Sequence, residues 1–292
     1  MIYGLKYVAK YLLAKDIAGR SLAVYRDDVF IVSYPRSGNT WTRFLIANLL
    51  HPEEPATFEN IERWIPDSEA QSSRYLRRIP RPRVIKSHAY FDHRYPKVIY
   101  IVRDPRDVAL SYYNFARKYR QIDDQYPLGS YVSDFVNGRI SSRDWGTWGE
   151  NVGTWLVSRY ERPDFLLLRY EDMVSDTERE LAKVSAFFQI VPDSGRLRSA
   201  VERSSADRMR ALEKTQGGDW VSTKGKRPDI PFVGQAISGS WRSKLPPESI
   251  AEIEAAWGSL MHSLGYDLVT KPADLNSNSA SFLPAMESVG GE

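Results

Sequence analysis

The stretch that most constrains the fold of this chain is SYPRSGNTW, residues 33–41. The preceding VFIV, residues 29–32, predicts a short buried strand because it is apolar and rich in β-branched residues. The following RFLIANLL, residues 43–50, continues as a helical pattern. A loop of Pro, Ser, Gly, Asn and Thr between a strand and a helix indicates an α/β fold. It is also a natural place for a phosphate-like anion.

Other segments extend this strand–helix pattern along the chain. Short runs rich in β-branched or aromatic residues predict four strands, at Val29–Ser33, Val84–Lys86, Lys97–Val102 and Phe165–Arg169. Helical patterns follow or separate them, at Thr40–Leu50, Asp107–Tyr119, Trp148–Tyr160 and Thr177–Phe188. Strands that alternate with helices imply a central parallel sheet covered by helices on both faces. The expected fold class is therefore α/β.

The sequence predicts one domain with an N-terminal extension and a C-terminal tail. No internal repeat or clear linker interrupts residues 28–268, the predicted catalytic domain. Residues 1–27 predict a helical extension, which either packs on the domain or makes peripheral contact with anionic lipid through residues 1–20. Residues 269–292 contain an Asn/Ser-rich run and predict a flexible tail.

Composition excludes several classes of site and partner. The absence of cysteine rules out disulfides, thiolate zinc sites and cysteine nucleophiles, and it fits a cytoplasmic location. No apolar run reaches the roughly 18 residues of a membrane span, so we expect no transmembrane segment. A net charge of +3 is compatible with an anionic ligand but too small to indicate nucleic acid, which we do not expect as a partner.

The loop at residues 33–41 carries groups suited to an anion. The first N–H groups of the following helix lack partners within the helix, and the helix dipole attracts negative charge. Gly38 lets the backbone approach a ligand closely, and Arg36 adds a planar cationic fork. Three side chains add hydrogen-bond donors: Ser37, Asn39 and Thr40. A plain helix entry capped by Thr40 is the alternative interpretation.

The second motif is YIVRDPRDVALSYYNF, residues 100–115. Arg103 ends a predicted strand, and Ser111 lies about one turn into the helix that follows. An arginine at a strand end and a serine on the next helix can converge on one anion. The alternative is a structural ion pair between Arg103 and Asp104 or Asp107.

The third motif is PRVIKSHAYFD, residues 82–92. Lys86 and His88 are two residues apart on an extended segment, so both side chains can point to the same side. A histidine and a lysine at the end of a buried strand can act as an acid/base group and a charge-stabilising group. A purely structural role for His88 is the alternative.

These three motifs, in this order, resemble the PAPS-dependent sulfotransferases of the cytosolic type, PAPS being 3'-phosphoadenosine 5'-phosphosulfate. The family pattern YPKSGTTW resembles residues 34–41, and the family's KTH segment resembles Lys86-Ser87-His88. The family's LxLxYEDM resembles the LLLRYEDM that contains Tyr170. The glycine–tryptophan step near the family's C-terminus resembles GSW at residues 239–241.

The resemblance implies a single-domain P-loop-like (nucleotide-kinase-like) sulfotransferase fold. It implies transfer of a sulfonate group from PAPS to a hydroxyl or amine of a small-molecule or glycan acceptor, with PAP released and no metal required. His88 would be the catalytic base, with Lys86 and Arg36 stabilising charge on the leaving oxygen. The implied cofactor-binding residues are Arg36, Ser37, Gly38, Asn39, Thr40, Trp41, Arg103, Ser111, Tyr170 and Ser205.

Three departures from the family pattern bear on the cofactor. Arg36 stands where the family has lysine, and Ser204-Ser205-Ala206 replaces its Thr-Ser-Phe step. Gly234-Gln235-Ala236 replaces the family's Arg-Lys-Gly loop and lacks both cations. We hypothesise that one of Lys224, Lys226 or Arg227 substitutes for them. The family's dimer motif is not matched, so no oligomeric state is predicted.

Two other functions remain open from the residues. A nucleotide kinase or NTPase also uses a strand–loop–helix phosphate site, but the loop lacks the Gly-Lys-Ser/Thr ending of such enzymes. A non-catalytic PAP or polyanion binder is made plausible by the lost cation pair and by the six cations of RYLRRIPRPRVIK, residues 74–86. The acceptor is not named by any motif. Aromatic residues near Tyr90–Phe91, in Tyr119–Trp148 and in the loop before Phe232 favour an apolar or aromatic acceptor with a hydroxyl. A glycan stacked on tryptophan is the alternative acceptor.

Overall fold

The computed structural model describes residues 17–141, 144–191, 193–234 and 236–270. The predicted N-terminal extension lies largely outside these residues, and so does the predicted tail from residue 271 onward. The described end of the extension forms a 3-10 turn at Gly19–Ser21. Ala18 and Leu22 on either side of that turn are buried, so this part of the extension packs on the domain.

A four-stranded parallel sheet lies at the centre of the domain, as predicted. Its strands are β1 at Val29–Ser33, β2 at Val84–Ser87, β3 at Lys97–Val102 and β4 at Phe165–Arg169. The strand order is β2-β1-β3-β4, and all three pairings are parallel. The bounds agree with the predicted strands to within one residue.

Helices connect and cover the strands. The longer ones are α1 at Asn39–Leu50, α4 at Pro105–Lys118, α5 at Leu128–Val136, α6 at Trp148–Arg159, α8 at Thr177–Phe187, α9 at Ser194–Arg203, α10 at Ala206–Gln216 and α12 at Pro247–Ser263. The short ones are α2 at Ile61–Trp64, α3 at Ser73–Arg78, α7 at Tyr170–Ser175 and α11 at Trp241–Lys244. The four predicted helices are α1, α4, α6 and α8. The others were not predicted.

Alternating side chains of the strands form two apolar cores, one on each face of the sheet. Phe30 and Val32 of β1 lie in one core, which also contains Trp155 of α6. Ile31 of β1 lies in the other core, together with Phe44 of α1. Because successive strand residues point to opposite faces, a strand buried on both sides must be apolar throughout. This explains why VFIV has no polar residue.

The order of the strands decides where the motifs meet. From β1 the chain goes first to β2 on one side and then, across β1, to β3 on the other. The strand order therefore reverses at β1, and such a reversal leaves a crevice beyond the carboxyl ends of the strands. The loop after β1, the Lys86–His88 segment and Arg103 all lie at these ends.

Candidate active site

The loop after β1 approaches its surroundings too closely for any residue but glycine at position 38. Gly38 has φ +96°, and a Cβ on it would lie 2.6 Å from the ring of Tyr170. Gly38 is also the residue that caps α1, and it has no side chain to accept from the first N–H groups. The alternative interpretation, in which Thr40 caps the helix, is therefore wrong, because α1 already begins at Asn39.

Two polar groups in this loop have different roles. The buried Ser37 Oγ has no hydrogen-bond partner among the described residues. Asn39 Nδ2 donates to the Ile31 carbonyl at 3.3 Å and to Ser33 Oγ at 3.1 Å, so it ties the loop to β1. A buried hydroxyl without a partner is costly. An anion in the loop would satisfy Ser37 together with the free N–H groups of α1.

Arg36 connects the loop to two distant segments. Its Nε donates to Ser111 Oγ of α4 at 3.1 Å, and its Nη2 donates to the Phe232 carbonyl at 3.2 Å. Its guanidinium carbon lies 5.1 Å and 4.9 Å from the ring centres of Phe115 and Phe232. Burial lowers the pKa of Arg36 to about 10, so the side chain remains a cation at neutral pH.

Arg103, directly after β3, also faces the loop. It donates through Nη1 to the Arg36 carbonyl at 3.2 Å and through Nη2 to the Ile237 carbonyl at 3.3 Å. Its guanidinium covers the Tyr170 ring at 4.2 Å. Its buried Nε has no partner among the described residues, nor has the side chain a carboxylate partner in that part of the chain. The geometry leaves this side chain available to an anion, and its role in binding one stays a prediction.

The two aspartates that were the alternative partners of Arg103 have other contacts. Asp104 pairs with Arg106 at 2.7 Å. Asp107 accepts from the backbone N–H of Gly239 at 2.6 Å and of Trp241 at 3.1 Å. Asp107 therefore holds the GSW step against the start of α4.

Trp41, Tyr170 and Ser205 form one side of the site. The rings of Trp41 and Tyr170 meet edge to face with centroids 5.8 Å apart. Trp41 Nε1 donates to the carbonyl of Ser204 at 3.0 Å, next to Ser205. Ser205 caps α10 by accepting from the Arg208 N–H. The residues predicted to hold the nucleoside part of the cofactor are thus neighbours.

His88 has a defined tautomer. Its Nδ1 lies 2.8 Å from the Ser33 carbonyl oxygen, at the end of β1. A carbonyl oxygen can only accept, so Nδ1 carries the ring proton and Nε2 presents a lone pair. Burial, assisted by the nearby Lys86 charge, lowers the pKa of His88 to about 3. A neutral imidazole with a free Nε2 can act as a base at ordinary pH.

Lys86 differs most from its expected role as a free cation. Its buried ammonium pairs with Asp67 at 2.9 Å and with Glu69 at 2.8 Å. Burial by itself lowers the pKa of Lys86, but the two carboxylates outweigh burial and raise it. Sequence reasoning missed both carboxylates because PDSEA, residues 66–70, belongs to no motif, strand or helix pattern.

Aromatic side chains surround the cationic and basic groups. Trp145 meets the His88 ring edge to face with centroids 6.0 Å apart. Phe115 stacks on Tyr119 with centroids 3.9 Å apart. The rings of Phe232 and Phe115 meet edge to face with centroids 6.5 Å apart. Tyr119, Trp145 and Phe232 belong to the segments that were expected to contact the acceptor.

Comparison with known proteins gives a consistent result. A family model described as "Sulfotransferase domain" matches residues 26–265. Sulfotransferase 1C2 of Rattus norvegicus is 26% identical over 235 residues, 74% of this chain and 77% of that protein. The 3-beta-hydroxysteroid sulfotransferase of Cavia porcellus is 31% identical over 186 residues, 60% of this chain and 63% of that protein.

Solved structures share the fold. Mouse sulfotransferase SULT7A1, solved with PAP, superposes with a TM-score of 0.67 at 21% identity and covers 88% of this chain and 90% of its own. Retinol dehydratase, solved with retinol and PAP, superposes with a TM-score of 0.68 at 19% identity, with 91% and 88% covered.

Proposed function

The chain belongs to the sulfotransferase family, and we propose that it sulfonates a hydroxyl on a small, largely apolar acceptor. The reaction class is PAPS-dependent transfer of a sulfonate group. The single observation that carries the assignment of roles is the proximity of a neutral His88, whose Nε2 has no partner among the described residues, to the half-buried cation Arg36. These are the two groups that such a transfer needs.

The residues of the loop fit the anionic parts of PAPS. We assign the 5'-phosphosulfate to the unpartnered Ser37 Oγ and the uncapped N–H groups of α1. We assign the 3'-phosphate to Arg103, whose buried Nε lacks a partner among the described residues, and to Ser111. Trp41 and Tyr170 lie beside these groups and suit an adenine ring. When bound, PAPS supplies the sulfonate group.

His88 and Arg36 then have distinct roles. Nε2 of His88 takes the proton of the acceptor hydroxyl. Nδ1 keeps its own proton and continues to donate it to the Ser33 carbonyl. Arg36 stabilises the negative charge that develops on the leaving oxygen. Lys86 is the weaker candidate for that second role, because Asp67 and Glu69 already neutralise its charge.

The aromatic surroundings support a small apolar acceptor over a glycan. Trp145 lies against His88, and Phe115 and Phe232 lie against Arg36. Two proteins similar to this chain are named for a hydroxysteroid and for retinol, both apolar molecules with a hydroxyl. A hydroxyl on a flat apolar body is therefore the acceptor that we propose.

An acceptor panel tests the proposal. The protein is mixed with PAPS and, separately, with phenols, sterols, long-chain alcohols, arylamines and a short glycan, and PAP release is measured. We expect release with one or more apolar hydroxyl compounds and none without an acceptor. Release with the glycan alone would overturn the acceptor class. Binding of PAP without release for any compound would indicate a binder and overturn catalysis.

The proposed location is the cytoplasm. No helix in the described ranges between residues 17 and 270 is both long and apolar enough to cross a membrane. The absence of cysteine throughout the chain fits a reducing compartment. The suggested peripheral membrane contact through residues 1–20 falls almost wholly outside the described residues, and it stays a prediction.

The low pKa of His88 predicts an unusual pH dependence. An exposed histidine acting as base loses activity as pH falls through about 6.5, because its imidazole becomes protonated. Burial lowers the pKa of His88 to about 3, so its imidazole stays neutral far below that pH. We expect kcat/KM for PAPS, which reports the free enzyme, to show no acid limb between about pH 8 and pH 5. A limb near 6.5 would contradict this, provided that circular dichroism shows the fold intact there.

The cations proposed to replace the family's Arg-Lys pair differ in their contacts. Arg227 forms ion pairs with Asp124 at 2.5 Å and with Asp229 at 2.6 Å. Lys226 covers the Tyr119 ring at 4.7 Å. Arg210 of α10, which sequence reasoning did not select, pairs with the exposed Asp207 at 2.5 Å and donates to the Gly234 carbonyl at 3.0 Å. Arg210 thus contacts a described residue of the altered loop.

We expect Arg210→Gln to weaken PAP binding about 10-fold or more, the contribution of one charged hydrogen bond. Arg227→Gln is the matched control and should stay within about threefold, since its charge already has two partners. Calorimetric titration of each variant with PAP and with AMP, which lacks the 3'-phosphate, measures its affinity for the two ligands. Equal weakening for the two ligands, or no weakening, would exclude Arg210 from the 3'-phosphate site and leave Lys224 and Lys226 as candidates.

A further inference from the structure

The segment PDSEA, residues 66–70, lies along the edge of β2. Lys86 N–H donates to the Pro66 carbonyl at 2.9 Å, and Ser68 N–H donates to the Lys86 carbonyl at 3.0 Å. These bonds extend the parallel pairing by one bridge, between Asp67 and Lys86. The segment therefore has a fixed register against β2, and the carboxylates of Asp67 and Glu69 face the end of that strand.

Glu69 contacts all three residues of the Lys-Ser-His motif. Its Oε2 accepts from Lys86 Nζ at 2.8 Å. Its Oε1 accepts from the backbone N–H of His88 at 2.5 Å and lies 3.5 Å from Ser87 Oγ. The side chain is 21% exposed, so solvent competes little for these bonds. A charge-assisted bond to the backbone of His88 fixes the peptide from which the imidazole projects.

The ring of His88 is held from the opposite side. Its Nδ1 lies on the Ser33 carbonyl of β1, while its own amide is held by Glu69. Two bonds on opposite sides of the residue define both the position of its backbone and the orientation of its ring. Nε2 is the one polar atom of His88, apart from its carbonyl, that neither bond uses.

The charges of the cluster act on His88 in opposite directions. Burial and the Lys86 charge lower the pKa of His88, and the Asp67 carboxylate offsets them only in part. Arg36, on the other side of the site, lowers the pKa of His88 as well. The contribution of Glu69 to His88 is therefore its bond to the backbone amide, not a stabilisation of the imidazolium.

We propose that Glu69 is the positioning residue of His88, holding the base in place through its backbone amide. The proposal rests on the role of His88 as base under the proposed function. The proton itself moves from the acceptor hydroxyl to Nε2. Glu69 accepts no proton from the acceptor, and Lys86 serves as the counter-ion that allows two carboxylates to lie together.

The test compares Glu69→Gln with the matched variant Asp67→Asn. Both remove one negative charge from the surroundings of Lys86, but of the two residues Glu69 alone contacts the His88 amide. A carboxamide cannot accept from Lys86 and from the His88 amide as the carboxylate does. We expect Glu69→Gln to lower kcat about 100-fold, the cost of a misplaced catalytic group, with PAP affinity unchanged. Asp67→Asn should keep most of its turnover.

Phenol acceptors of graded acidity separate positioning of a base from general damage. A phenol that is already ionised at the assay pH needs no base. The loss of turnover in Glu69→Gln should therefore be large for weakly acidic hydroxyls and small for ionised phenols. We expect the same trend in His88→Ala. Glu69→Asp, which keeps the charge, should recover part of the turnover. It also replaces Glu69→Gln if that variant fails to fold.

Each other outcome overturns the proposal in an identifiable way. A loss that is equal for all phenols, or equal in Glu69→Gln and Asp67→Asn, would indicate a structural role for Glu69. If His88→Ala loses turnover and Glu69→Gln keeps it, the proposed function stands and this inference fails. If His88→Ala keeps turnover and Glu69→Gln loses it, Glu69 is itself the base and both assignments fail.

Discussion

His88→Ala is expected to lower turnover by roughly 10²–10⁴-fold, the usual contribution of a general base, while affinity for PAP stays within a few-fold. Nδ1 of His88 donates to the Ser33 carbonyl, and Nε2 has no hydrogen-bond partner in the part of the chain that the structure describes. No bond that we assign to PAPS involves the imidazole, so its removal should not weaken cofactor binding. Turnover with a confirmed acceptor and calorimetric titration with PAP measure the two quantities separately.

His93→Ala is the control for this substitution. His93 lies five residues further along the same segment, and its side chain is exposed. We expect that variant to keep the turnover of the parent. If His88→Ala behaves like His93→Ala with an acceptor that is not ionised, His88 is not the base.

Arg36→Ala should lose turnover by about 10²–10³-fold, the effect of removing one preorganised group that stabilises developing charge. The side chain is a half-buried cation held by Ser111 and Phe232 in the loop that we assign to the phosphosulfate. Arg36→Lys keeps the positive charge and should keep most of the turnover, although an ammonium cannot reproduce the planar fork. Rates under saturating PAPS measure the effect on kcat alone.

Arg208→Ala is the matched control, because Arg208 is an exposed arginine on α10. It should be indistinguishable from the parent in rate. Equal turnover in Arg36→Ala and the parent would mean that the loop binds the cofactor but does not stabilise the leaving oxygen. Loss of PAP affinity without loss of kcat would lead to the same conclusion.

The separation of the two expected effects has a physical basis. His88 acts on the acceptor proton, so its loss should depend on the acidity of the acceptor hydroxyl. Arg36 acts on the leaving oxygen, which is the same for every acceptor. The loss of turnover in Arg36→Ala should therefore be uniform across acceptors. A series of phenols assayed with both variants therefore distinguishes the two roles within one experiment.

Much of the fold and site was determined by the sequence itself. Each strand is a short apolar run, and each motif begins where such a run ends, so local patterns were sufficient for β1 to β4 and for α1, α4, α6 and α8. Parallel strands place their carboxyl ends at one edge of the sheet. Arg36, His88 and Arg103 therefore had to meet there, as they do.

The tertiary structure alone decided how those side chains are used. Lys86 reads as a free cation in the sequence, but Asp67 and Glu69 neutralise it from a segment with no motif of its own. Arg36 reads as an isolated loop residue, but it is bound to Phe232, which is 196 positions away in the chain. Periodicity and spacing report interactions between near neighbours in sequence. Partners brought together by the packing of distant segments leave no local signal, so the charge of Lys86 and the contacts of Arg36 required the folded molecule.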